Sequence, residues 1–91
     1  MRILMVFGHK EDLRLWLREC GTAGRVNLPQ ERIYFADGSV VYCGVLRDLE
    51  DCQRFVGIPF GLVLYHKGAQ APEAVREWAK LQTREPRGDT L

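Results

Sequence analysis

His66 and Lys67 stand at the end of FGLVLY, residues 60–65, and His9 lies just past RILMVF, residues 2–7. An imidazole placed beyond an apolar strand is delivered to one rim of a sheet, and two such strands lying side by side would bring His9 and His66 together. With Cys20, Cys43 and Cys52 they make a set of zinc-type ligands. The spacing argues against that use. The three cysteines form neither an even set nor a CxxC pair, and Cys20 and Cys52 each fall on an apolar helical stripe, where a free thiol is a small core residue. No metal and no cofactor are therefore expected. Nothing in the spacing marks an activated thiol either, so no Cys–His nucleophile pair and no other catalytic residue is assigned. Such cysteine usage suits a reducing, cytoplasmic compartment.

The cations offer a second chemistry. Arg14 and Arg18 lie one turn apart on one predicted helix, and Arg76 and Lys80 one turn apart on another, with Arg84 and Arg87 beyond; these are phosphate-contacting residue types. Acidic Glu11, Glu73, Glu77 and Glu85 interleave with them, which is the pattern of a solvated helix face. Thirteen Lys and Arg against twelve Asp and Glu leave a formal net charge of +1, so no strong field draws the whole molecule to nucleic acid or anionic lipid.

The elements that must position these residues follow from periodicity. With 91 residues, 46% hydrophobic and 27% charged, the chain reads as one globular domain over residues 1–83, with the polar REPRGDTL, 84–91, as a flexible tail in which Arg-Gly-Asp carries no meaning. The apolar run Ile3 to Phe7 is too short for a secretory or membrane-spanning segment, so no membrane association is expected. RILMVF and FGLVLY are continuous apolar runs of the kind buried on both faces, and both are placed at the centre of a sheet. EDLRLWLREC, 11–20, puts Leu13, Trp16, Leu17 and Cys20 on one helical stripe, and PEAVREWAKLQ does the same with Val75, Trp78, Ala79 and Gln82 behind Pro72. Trp16 and Trp78 are accordingly expected to be largely buried. Residues 25–28 suggest a short strand, and Asp48 suits the N-cap of a short helix closed by Gly57.

Asp37-Gly38 between ERIYFA and SVVYCGV predicts a hairpin with a two-residue turn, which would set Phe35 opposite Val40, Ile33 opposite Tyr42, Tyr34 opposite Val41 and Arg32 opposite Cys43. The fold class expected is α/β: a small mixed sheet with this hairpin toward an edge and two to three helices.

The run IYFADGSVVYCG followed by RDLEDCQRFVGIPFGLVLY resembles the core of the large terminase subunit of tailed phages and related helicase-type, RecA-like ATPases. There a strand–turn–strand with Ile-x-Phe and an Asn/Asp-Gly-Ser turn precedes a short acidic helix, a glycine turn and the Walker B strand. The matching residues are Ile33, Phe35, Asp37, Gly38 and Ser39, then Asp48, Asp51, Phe55 and Gly57, then Leu62 to Tyr65. The chain departs from the pattern where the chemistry lies. It has no GxxxxGK(S/T) loop, its Gly21-Thr-Ala-Gly24-Arg has the wrong spacing, and His66-Lys67 occupy the places of the acidic pair that orders magnesium and polarises water. The resemblance thus implies a scaffold that neither binds nor hydrolyses ATP. It further implies a phage- or prophage-encoded, non-catalytic interaction module, acting as inhibitor, decoy or accessory of a protein partner in the host cytoplasm. The alternative is a nucleic-acid-binding regulator using Arg14, Arg18, Arg76 and Lys80. A hairpin near a sheet edge presents unpaired backbone, so residues 31–44, with Arg32, Tyr34, Val41 and Cys43, are the expected surface for a protein partner or a second copy of the chain.

Overall fold

Five strands form one mixed sheet in the order β2-β3-β4-β1-β5, in which β1 (Arg2–Phe7), β4 (Val40–Val45) and β5 (Leu62–Tyr65) are parallel, and β2 (Arg25–Asn27) and β3 (Arg32–Tyr34) run antiparallel to their neighbours. The structure is a computed structural model and describes residues 1–20 and 23–83. The tail expected at 84–91, with its Arg-Gly-Asp, lies outside the described residues.

Alternation along β1 sorts the core into two halves. Leu4 and Val6 face Tyr42, Phe55, Phe60 and Val75, whereas Phe7 faces Leu13, Leu17, Ile33, Val41 and Cys43. Helix α1 (Lys10–Cys20) therefore covers one face, and α2 (Glu73–Gln82) with a 3-10 helix at Asp51–Phe55 covers the other, giving three layers. Among the described residues no helix is long and apolar enough to cross a membrane.

Four expectations need correction. First, β5 is an edge strand, and the centre belongs to β4, the second strand of the hairpin. Val63 and Tyr65 pack into the core, but Leu62 and Leu64 are 40% and 43% exposed on the face that α1 leaves open. A continuous apolar run looks the same whether both of its faces are covered or one, so the sequence pattern cannot separate the two.

Second, the hairpin is shifted by one residue. Arg32 pairs with Tyr42, Ile33 with Val41 and Tyr34 with Val40. Phe35 N–H donates to the Ser39 carbonyl at 2.9 Å and Gly38 N–H to the Phe35 carbonyl at 3.0 Å, so the loop has three residues and ends on Gly38 with φ 93°. This is the turn-plus-bulge solution, which also needs glycine in the left-handed region. Its consequence is that Ile33 and Val41 lie together under α1.

Third, Trp16 and Trp78 are half-buried. The fully enclosed helix residues are Leu13 and Leu17 on α1, and Val75 and Ala79 on α2. Each indole lies on the flank of its stripe, Trp16 against Phe7 at a ring separation of 5.7 Å.

Fourth, the N-cap of the 3-10 helix is Glu50, with no side-chain cap, and not Asp48 as expected; Asp48 acts in the turn before it, its Oδ1 accepting from Asp51 N–H at 3.0 Å while Asp51 Oδ2 accepts from Arg47 N–H at 2.8 Å. The last residue of the helix, Phe55, lies over β4 because position 44 is glycine. A Cβ there would come within 2.9 Å of the Phe55 ring.

Candidate anion-binding cleft

The connection between β2 and β3 is the tight turn Leu28–Glu31, closed by Glu31 N–H to the Leu28 carbonyl at 3.1 Å. Asn27 supplies the local cap, its Oδ1 accepting from Gln30 N–H at 3.0 Å. Re-entering the sheet from so short a turn places Glu31 at φ 58°, the only residue other than glycine with positive φ among those described. Its carbonyl then accepts from Cys43 N–H at 3.0 Å, extending the β3–β4 ladder by one position. A glutamate in this region carries a strain of order 1–3 kcal/mol, so the surrounding contacts must hold it there.

Those contacts are cationic. The Glu31 side chain is 11% exposed, one oxygen paired with Lys10 Nζ and the other with Arg54 Nη2 at 3.2 Å. Arg54 Nη2 also donates to the Cys43 carbonyl at 3.2 Å, and its guanidinium lies 4.7 Å from the Phe55 ring centre. Burial alone would raise the Glu31 pKa; hydrogen bonds and charge from Lys10 and Arg54 outweigh it and hold the carboxyl below its ordinary value. A depressed native pKa means that stability is present above the ordinary glutamate range and is lost as pH falls through the native value. Melting curves should therefore show Glu31→Gln losing less stability than the native protein between neutral pH and pH about 3; equal losses would mean the carboxylate is not held as described.

Around this pair opens a cleft of about 810 Å³. One wall is α1, which presents Lys10, Arg14 and Arg18 at i, i+4 and i+8, a stripe of about 12 Å. The Leu28–Glu31 turn and Arg32 form the second wall, and Arg54 with Phe55 the third. Arg32 is steadied by the Tyr42 ring, 4.5 Å from its guanidinium carbon. Five cations and one carboxylate thus line a single concavity in a chain whose formal charge is +1, so the remainder of the chain is net negative.

Of the residues anticipated as phosphate contacts, Arg14 and Arg18 lie in the cleft, whereas Arg76 and Lys80 sit on the opposite face of the sheet. There Arg76 donates to the Ala71 carbonyl at 3.1 Å and covers the Tyr65 ring, and Lys80 pairs with Glu77 at 3.6 Å. The anticipated docking surface divides as well. Arg32 joins the cleft, Tyr34 is half-exposed near Arg25, and Val41 and Cys43 are core residues beneath α1. Their burial follows from the one-residue change in register.

His9 and His66 do follow adjacent strands. His66 is stacked on Phe7 at 5.0 Å with its Nδ1 accepting from Gly68 N–H at 3.3 Å, and among the described residues no group of three His, Cys, Asp or Glu can hold a metal ion. Burial pushes the Cys43 thiol up to about 12 and the Cys52 thiol up to about 11, so both stay protonated at neutral pH and are poor nucleophiles.

Sequence alone does not single out Lys10, Glu31 or Arg54. Glu31 and Arg54 are 23 positions apart, and nothing local to either announces the other. Comparison with protein-family models, characterised proteins and solved structures finds no match for the chain.

Proposed function

We propose that the protein binds nucleic acid by its phosphate backbone, through the cleft between α1, the Leu28–Glu31 turn and the 3-10 helix. The observation that carries this reading is charge concentration: five of the thirteen Lys and Arg side chains line one concavity, although the overall charge is near neutral. A strand of duplex DNA carries one phosphate per about 3.4 Å of axis, so Arg14 and Arg18, about 6 Å apart along α1, can each meet a different phosphate of one strand. Arginine predominates, and its planar fork suits phosphate oxygens. Contacts of this kind position a backbone and read no bases.

Anisotropy of a fluorescein-labelled DNA duplex, titrated at several salt concentrations, tests the reading. Three to five phosphate contacts give a slope of log K against log salt between about −2.7 and −4.5. No binding at low salt, or a slope shallower than about −1, would end it.

A second reading, a non-catalytic protein-interaction module, draws on β5, where Leu62 and Leu64 are exposed on an edge strand. The residues expected to serve that role at 31–44 are partly core, so the apolar edge takes their place. Docking on such a surface would be nearly independent of salt, which separates the two readings.

A further inference from the structure

Glu31 is the one charged residue of the described core, at 9% exposure, and also the one residue other than glycine held in the left-handed region. Both features are costly, and both converge on an oxyanion gripped by one cation from α1 and one from the 3-10 helix. Two cations around two oxygens form an anion site, and here the chain itself fills it. The remaining cations of the cleft, Arg14, Arg18 and Arg32, have no carboxylate partner among the described residues.

We propose that Glu31 determines which anions the cleft accepts: its carboxylate stands in for a phosphate at the paired cations Lys10 and Arg54, so compact anions are refused and an extended polyanion is bound on Arg14, Arg18 and Arg32. This rests on the cleft being a phosphate-binding surface. A small anion such as pyrophosphate needs several donors converging on one spot, and the convergent pair is already taken. A polymer draws its affinity from donors spread along a track, and those are free. Substituting Glu31→Gln keeps the size and the hydrogen-bonding oxygen while removing the charge, which releases Lys10 and Arg54 to an external ligand.

Calorimetry with pyrophosphate and with inorganic phosphate, on the native protein and on Glu31→Gln, tests this. The variant should bind pyrophosphate about ten- to a hundred-fold more tightly than the native protein. Its salt slope for the DNA duplex should also steepen from about −2.7 toward about −4.5, as two further cations become available. Equal pyrophosphate affinity in the two proteins would overturn the proposal. Should the variant fail to fold, arginine side-chain NMR of the native protein decides it: on adding DNA the Nε signals of Arg14, Arg18 and Arg32 should move while that of Arg54 stays. A shift of Arg54 as large as the others would mean that the ligand displaces Glu31, and would overturn the proposal equally. Failure of the native protein to bind DNA, with pyrophosphate binding gained by Glu31→Gln, would reject the nucleic-acid reading and retain the role of Glu31 toward compact anions.

Discussion

Replacing Phe60 with alanine will destabilise the protein by about 3–5 kcal/mol, enough to leave much of it unfolded near physiological temperature. Phe60 is fully buried and meets Tyr42 at 5.3 Å and Phe55 at 6.1 Å in edge-to-face contacts, so its ring joins the strand β4, the 3-10 helix and the approach to β5. Truncation removes the transfer free energy of the ring and leaves a cavity lined by two other aromatics that cannot collapse together without moving β4. A domain of this size has a total stability of roughly 0.05–0.15 kcal/mol per residue, so the loss is a large fraction of the whole. Trp78→Ala should cost clearly less, because that indole is half-exposed. Urea denaturation of both variants checks the order; a Phe60→Ala midpoint within error of the native one would mean that the aromatic cluster is not the core of that face.

The double charge reversal Arg14→Glu with Arg18→Glu will lower affinity for a DNA duplex by about a hundred-fold or more at low salt and reduce the magnitude of the salt slope by about 2. Both side chains are exposed on α1 and line the cleft, so folding should change by no more than about 0.5 kcal/mol at each site. Arg76→Glu with Lys80→Glu is the matched control. It alters net charge equally but on the far face, and should leave the slope unchanged. If the two double variants weaken binding by the same amount, the interaction responds to total charge, and the cleft has no special part in it.

Local rules made much of the architecture legible. The apolar runs at residues 2–7 and 60–65, the stripes of α1 and α2, and the short-range bond between Asp51 N–H and Asp48 are each encoded within a few neighbouring residues. The structure places those elements within one or two positions of where the pattern puts them. Sheet order is different in kind. VVYCGV and LVLY are both apolar runs, and which one occupies the centre depends on where the crossings on the two faces return the chain.

The hairpin shows the same limit at smaller scale. Asp37-Gly38 admits either a two-residue or a three-residue loop, since both need glycine at positive φ, and the two differ by one residue in register. The choice is made at a distance, because only one register sets Ile33 opposite Val41 on the face that α1 covers. That choice in turn buries Val41 and Cys43 and removes them from any surface.

For the cleft, sequence supplied Arg14 and Arg18 through their i, i+4 spacing, a short-range helical fact. It also grouped them with Arg76 and Lys80, which an equal spacing on another helix resembles but the opposite face of the sheet separates. Lys10, Arg32 and Arg54 join them only because the end of β1, the start of β3 and the end of the 3-10 helix meet at the same corner. Glu31 is the hub, and its role is set by a backbone conformation and two ion pairs that exist only once the Leu28–Glu31 turn has folded against α1. Periodicity and capping act over about four residues, the reach of one helical turn, and therefore decide elements. Burial and charge pairing act through space, and therefore decide which elements meet and what their side chains together can bind.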